Sequence, residues 1–266
     1  MAGVNLTTLA NVKGFLDLQS SNQDALITRL IATESRQIES YCGCKFPYVA
    51  NVNKALTGTG TSILPLPDGP ILSVSSLTIG VTPILPSTDG VTQYGYTFDD
   101  VALYLVGDVF PRCPPKYVIA SWTAGWQSSE TDTLVSPGGN ATTITLAPTT
   151  DGTAGVDLGV VYTATGAPFT AVPAANTPSQ GQYSFNAGVY TFAAADATHA
   201  VTMNYAYIPP AVEQACIEMV ALDMKQKQQI GVKSRSIDHE SVSFETSGMT
   251  PSVMQMLYPF RRMTVG

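Results

Sequence analysis

Ile208-Pro209-Pro210-Ala211-Val212-Glu213-Gln214-Ala215 is the stretch on which the reading of the fold turns. A proline pair suits the first turn of a helix, where the amide hydrogen it lacks has no intrahelical acceptor and its fixed φ is already helical. Val212, Cys216, Met219 and Val220 then recur on one apolar face, with Glu213 and Glu218 early and Lys225 and Lys227 late. That order of charges complements the helix dipole. The segment 208–230 is therefore expected to be a helix. Immediately before it the chain reads differently. In 127–207 Thr, Ala, Gly, Pro and Asn dominate, charged side chains nearly vanish, and short β-rich runs recur at 142–146, 159–163, 182–185, 188–192 and 200–207. This is the spacing of an all-β sandwich or barrel.

Further back, Thr8 is a good N-cap for a short helix in which Leu9, Val12, Phe15 and Leu16 share a face. Ser21 or Asn22 is expected to cap a longer one, with Asp24 in its first turn, Ile27, Leu30, Ile31, Ile38 and Tyr41 along one stripe, and Gly43 as a left-handed stop. Between 51 and 126 the chain becomes β-rich and broken by Pro and Gly. Strands are predicted at 63–66 and 71–79 around Pro67-Asp68-Gly69-Pro70, and at 96–105 and 117–122. The fold class is thus α+β, a small helical bundle with a short antiparallel sheet carrying an inserted all-β sandwich or barrel domain. The division is 1–126 body, 127–207 insert, 208–230 third helix of the body and 231–266 C-terminal arm.

With 266 residues the chain exceeds the usual single domain, so core size is not limiting. Only 12% of residues are charged, against about 25% typically. Much of the surface is expected to be covered by other subunits, because interface centres lose charge. The net charge of −7 and the lack of any Lys/Arg cluster beyond Arg261-Arg262 exclude the basic footprint of a gripping nucleic-acid binder. No apolar run is long enough to span a membrane and the first residues carry no signal pattern, which predicts assembly in the cytoplasm. Four cysteines in a chain this long predict free buried thiols.

Residues with catalytic or metal-binding chemistry are few. Cys42-Gly43-Cys44 supplies two thiols, but a structural zinc site needs a second pair, which only Cys113, Cys216, His199 or His239 offers. His199 falls in a predicted turn, Asp196-Ala197-Thr198-His199. Asp99-Asp100 lacks the surrounding oxygen ligands of a calcium loop, and a turn or strand end is expected there. Gly58, Gly60, Gly138 and Gly139 fit no phosphate-loop spacing and are read as hairpin punctuation. No catalytic residue, cofactor or metal is assigned, and the chain is not read as an enzyme; a metal-dependent hydrolase lacks clustered ligands.

The pattern Leu6-Thr7-Thr8-Leu9, Val12-Lys13, Phe15-Leu16, Asp24-Ala25-Leu26 and Ile38-Glu39-Ser40-Tyr41-Cys42-Gly43 resembles the head-to-tail connector (adaptor) family of long-tailed bacteriophages. The resemblance continues through Leu64-Pro65-Leu66-Pro67, Pro70-Ile71-Leu72-Ser73-Val74-Ser75-Ser76-Leu77 and Trp122-Thr123-Ala124-Gly125-Trp126. It resumes at Ile208 to Ala215 and ends with Leu257-Tyr258-Pro259-Phe260-Arg261-Arg262. The departure is the insert, since the family usually passes from the Thr-Ala-Gly-aromatic strand to the Pro-Pro helix within a few residues. The insert, with Gly188-Val189-Tyr190-Thr191-Phe192, is similar to a β module recurrent in phage virion proteins. What the resemblance implies is a dodecameric ring below the portal protein in the virion neck. It would leave a channel through which DNA passes without specific binding, and present its far face to the next neck or tail component.

The polar stretch 231–248 lacks helical periodicity. Beyond it, apolar residues crowd together without compensating charge. Val242, Phe244, Met254, Leu257, Tyr258, Phe260, Arg261 and Arg262 are therefore expected to meet the portal, the run at 241–244 by adding a strand to a neighbour's sheet. The alternative is that 253–260 packs back on the third helix. A competing reading makes the chain a carbohydrate- or receptor-binding virion protein whose insert aromatics, Tyr162, Phe169, Tyr183, Phe185, Tyr190 and Tyr205, form stacking platforms. Strand aromatics more often form core.

Overall fold

The structure, a computed structural model, describes residues 5–135, 143–147, 154–226, 234–237, 240–243 and 249–262. In chain order the elements begin with α1 (Leu9–Phe15), α2 (Asp24–Cys42), β1 (Val49–Leu56), β2 (Ile63–Pro65), β3 (Ile71–Ile79), β4 (Thr82–Ile84), β5 (Gly95–Phe98), β6 (Ala102–Val106) and β7 (Val118–Ala124). Next come β8 (Gln127–Thr133), β9 (Thr143–Leu146), β10 (Ala154–Tyr162), β11 (Thr170–Val172), β12 (Gln182–Asn186), β13 (Val189–Ala193) and β14 (Ala200–Tyr207). Last are α3 (Pro210–Gln226), β15 (Ser234–Ile237), β16 (Glu240–Ser243) and α4 (Pro251–Leu257). The fold is mixed α+β, in two compact units, Met1–Cys44 with Pro209–Gly266, and Lys45–Ile208.

The helical unit follows the apolar periodicity. Thr8 caps α1 by accepting from the Asn11 amide, and Gly43 ends α2 at φ 67°. The start of α2 differs from expectation. Its N-cap is Gln23 without a side-chain bond, and neither Ser21 nor Asn22 caps it; the Ser21 carbonyl instead accepts from Asp24 N, and the Asp24 carboxylate accepts from Lys13 Nζ at 2.9 Å. An ion pair thus ties α1 to the first turn of α2. Val12, Ile27, Ile31, Ile217, Val220 and Met224 make the core of this unit, which keeps three helices together although α1 is only seven residues long. Phe15, expected on the buried face, is half exposed.

The second unit holds four sheets. β1-β7-β3-β4 and β2-β6-β5 are wholly antiparallel and enclose Leu64, Leu77, Leu103, Phe110, Trp122 and neighbours. The strands flanking Pro67-Asp68-Gly69-Pro70 do not pair with each other: β2 joins β6 and β3 joins β7. The predicted strand 96–105 is a hairpin, β5 and β6, folded about Asp99, whose carboxylate accepts from the amides of Val101 and Ala102 at 2.8 Å each. Gly125, at φ 131°, lets the backbone after β7 pass Tyr48; a Cβ there would stand 2.6 Å from Tyr48 Cα.

After Gly125 the chain enters β8. Two further sheets follow, β10-β14-β8 antiparallel and β11-β12-β13-β9 with one parallel pair, β11 on β12. Val160, Val201, Met203 and Tyr205 from the first meet Ile144, Tyr183, Tyr190 and Phe192 from the second in one core. None of these sheets closes into a barrel.

Candidate partner-docking surface

The C-terminal segment carries the residues expected to meet a partner. Thr250 caps α4 by accepting from Val253 N, with Pro251 in the first turn, so the helix starts for the reasons that start α3. A seven-residue helix needs tertiary support. Val253 and Leu257 give it, at 1% and 0% exposure, and α4 packs against α3. Leu257 thus serves its own subunit's core and presents no surface. The stated alternative, packing back on the third helix, describes Val253 and Leu257.

Met254 and Tyr258 are turned away from that face, and Tyr258 is 72% exposed. Phe260 is half-buried, with its carbonyl accepting from Cys44 Sγ at 3.6 Å. The Arg261 guanidinium sits over the Tyr41 ring at 5.4 Å, a cation–π contact, and Arg262 N donates to the Cys42 carbonyl at 2.8 Å. These contacts hold the chain's last described turn onto the end of α2. Val242 lies on β16, which pairs antiparallel with β15 and so already uses one of its two edges. Phe244 lies outside the described residues, as do Gly138, Gly139 and His239.

Beside α4, a groove of about 210 Å³ opens between α1, α3 and α4, lined by Phe15, Met219, Leu222 and Val253 with Glu218 and Lys225 among its polar groups. Phe15, exposed where core was expected, is one wall of it. Sequence reasoning missed this groove because it depends on how three helices meet.

The tertiary roles of two carboxyls inside the helical unit also escaped the sequence reading. Glu213 accepts from Asn11 Nδ2 at 2.6 Å and from Thr7 Oγ1 at 3.1 Å, tying α3 to the start of α1. Glu34, 5% exposed on α2, has its carboxyl pushed well above the usual carboxylate range, first by burial and then by the charge and hydrogen bond of Asp223 on α3. It sits on the buried face of α2 with Ile31 and Ile38, where only its spacing, and not its residue type, signals burial.

The residues with chemical potential are each absorbed locally. Burial pushes the Cys42 thiol up to about 12 and the Cys216 thiol to about 11, and raises Cys44, so these sulfurs stay protonated and poor as ligands or nucleophiles. Cys113 is exposed and alone. Among the described residues no three His, Cys, Asp or Glu side chains gather in a metal-holding group. His199 Nδ1 lies 3.0 Å from the Asp196 carbonyl, in the expected turn, with its ring edge-on to Tyr162. Asp99 takes the Tyr104 hydroxyl at 2.7 Å besides its turn amides. Gly58 lies against the backbone of Phe110 and Pro111 and faces no phosphate-sized hollow.

Within 127–207, Tyr183, Tyr190, Tyr205 and Phe169 are buried, and Tyr162 and Phe185 pack partly against them. Tyr183 and Tyr190 both donate to Asp157, the latter at 3.1 Å, and their hydroxyls are held protonated by burial first and this carboxylate second. Asp196, wholly buried, accepts from Tyr162 at 2.9 Å and from Gly181 N at 3.1 Å. These rings fill a core. No helix among the described residues is long and apolar enough to cross a membrane.

Residues 5–133 match the model of the head completion protein family. This span runs from the approach to α1 to the end of β8 and contains the larger part of the motifs quoted above. The resemblance to head-to-tail connector proteins is borne out there. Among solved structures, the chain is similar to one in the "Neck of empty GTA particle computed with C6 symmetry", at 13% identity and TM-score 0.43, covering 98% of this chain and 93% of that one. It is also similar to one in the "Neck of native GTA particle computed with C12 symmetry", at 14% identity and TM-score 0.35, covering 100% and 99%. No curated protein matches the sequence.

Proposed function

We propose that this chain is a structural virion protein, a head-to-tail connector subunit assembled in the host cytoplasm into a dodecameric ring beneath the portal. DNA passes through the ring, and its far face joins the next neck or tail component. The match of residues 5–133 to the head completion family carries this reading. The net charge of −7 supports it, because contacts that neutralise phosphates release counterions and hold DNA, the opposite of what a conduit needs. No side-chain constellation suited to catalysis stands against it among the described residues.

In this reading the segment 127–207 is a β sandwich inserted into the connector body, its two sheets sharing the Tyr183–Tyr190–Phe192 core. Met254, Tyr258, Phe260, Arg261 and Arg262, with Val242 and Phe244, face the portal. The carbohydrate-binding alternative loses its main support with the burial of the insert aromatics. Electron microscopy of the purified protein, alone and mixed with portal-bearing particles, tests the assignment. Rings or a collar at the portal vertex are expected; failure to co-sediment with such particles overturns it.

A further inference from the structure

Charges are distributed unevenly between the two units. Residues 45–208 carry ten acidic side chains and four basic ones, Lys45, Lys54, Arg112 and Lys116, and no Lys or Arg occurs between Lys116 and Lys225. In the helical unit, by contrast, the solvent face of α2 is a strip without a carboxylate: Ala25, Arg29, Thr33, Arg36 and Ser40, all exposed. Arg29 and Arg36 are seven residues apart, which on a helix puts them on the same side and about 10 Å apart along the axis. Among the described residues neither guanidinium has a hydrogen-bond or ion-pair partner; the ion pair of this unit is Lys13–Asp24. The side chains between the arginines are small, so another surface can approach closely.

A counterpart exists in the β unit. A groove of about 550 Å³ lies along β5 and β6, lined by Ser62, Thr97, Tyr104 and Asp108 and by Gly90 and Val91 of the loop before β5. No basic side chain lines it. Asp89, on that loop, accepts from the amides of Val91, Thr92 and Gln93 at 3.0–3.1 Å. These bonds, with the Thr92 hydroxyl first among them, hold its carboxyl below the usual range, so the loop keeps its negative charge at any neutral pH.

We infer that the Arg29–Arg36 strip of α2 docks on the Asp89–Asp108 groove of a second copy of this chain. The two surfaces differ, so the contact is head-to-tail, and a head-to-tail contact repeated with a closing rotation makes a ring. Charge complementarity selects this occupant: the strip is cationic, the groove is anionic and cation-free, and among the described residues neither arginine is ion-paired within its own subunit. The inference rests on the ring reading above and adds which surfaces meet.

The test is a charge exchange in the full-length protein. Self-association is measured by sedimentation and by ring counts in electron micrographs, alone and on portal-bearing particles. The double variant Arg29→Glu/Arg36→Glu is expected to weaken association at least about tenfold, as is Asp89→Lys/Asp108→Lys; combining all four should restore it. Association of the unaltered protein should also weaken as salt is raised. Because Asp89 organises its loop, Asp108→Lys alone is the second acidic variant, and it should show a smaller loss that either Arg→Glu change relieves. Rings in every variant would overturn the inference while leaving the neck assignment standing. Failure of the unaltered protein to associate under any of these conditions would overturn both. Loss of binding to a short DNA duplex in the Arg→Glu variants, with association unchanged, would assign the strip to phosphates and overturn it as well.

Discussion

Replacing Leu257 with Ala separates a C-terminal segment that belongs to the subunit from one that waits for a partner. Leu257 is wholly buried on α4 and Val253, one turn earlier, is 1% exposed, so the two side chains are the apolar grip of a helix only seven residues long. Leu→Ala at a fully buried site costs about 2–5 kcal/mol, more where the cavity stays open and less where neighbours collapse. α4 is short and borders a groove, so neighbours can move in, and the lower part of that range, about 2–3.5 kcal/mol, is expected. For a protein of this size that is a fall in Tm on the order of 5–12 °C. Tyr258→Ala, one residue further and 72% exposed, should stay within about 0.5 kcal/mol. Urea denaturation followed by the helical circular dichroism signal reads the unit directly. A Leu257→Ala protein with an unchanged midpoint that no longer binds portal-bearing particles would refute the reasoning. It would mean that the segment leaves the subunit core on assembly.

Glu34 makes the helical unit less stable as pH rises from mildly acidic to neutral. Its carboxyl is raised in the folded protein, from 4.5 to about 7, so the folded state holds a proton that the unfolded chain has released; stability is full below the unfolded value and falls as pH rises to about 7. Glu34→Gln should therefore gain roughly 1–3 kcal/mol relative to the unaltered protein at pH 8 and little at pH 4.5, checked by paired denaturation curves. Asp196→Ala leaves the Tyr162 hydroxyl and the Gly181 amide without their acceptor in a buried place, and should destabilise the insert by about 2–4 kcal/mol, read by near-ultraviolet circular dichroism or tyrosine fluorescence. Replacing 128–206 with a short Gly/Ser linker should leave a soluble protein with its helical signal intact, because the insert and the first two sheets have separate cores; aggregation without helix would contradict that division.

The helices were legible because their signals are local. Thr8, Gly43 and the proline pair at 209–210 each mark an end, and apolar residues at 3.6 spacing mark a face. Sheets were legible only where strands are apolar. β8, Gln127–Thr133, holds no apolar residue and carries Glu130 and Asp132; it is a strand because it lines the edge of β14, a tertiary fact. β1, at Val49–Leu56, was hidden similarly, with one buried residue in eight. Partner choice among strands was invisible for the same reason, since nothing in Ile63 or Ile71 says that one will pair with Tyr104 and the other with Ala124. At the docking surface, residue type alone grouped Leu257 with Tyr258. Helical phase puts the first inside and the second out.

Residues 127–207 follow a different chemical economy from the rest of the chain, and their two ends lie side by side. Tyr207 N donates to the Trp126 carbonyl at 3.0 Å and Gln127 pairs with Ala206, so the segment leaves and returns on neighbouring strands. Its two ends are therefore held by a ladder, and little loop-closure entropy is lost whatever lies between them. Within it, carboxylates find hydroxyls where other proteins would use Lys or Arg: Asp157 takes Tyr183 and Tyr190, Asp196 takes Tyr162, and Glu130 takes Tyr205 at 3.3 Å. Such bonds satisfy buried and half-buried acids without placing a cation anywhere between Lys116 and Lys225. A surface built this way has no group with which to displace counterions from a polyphosphate.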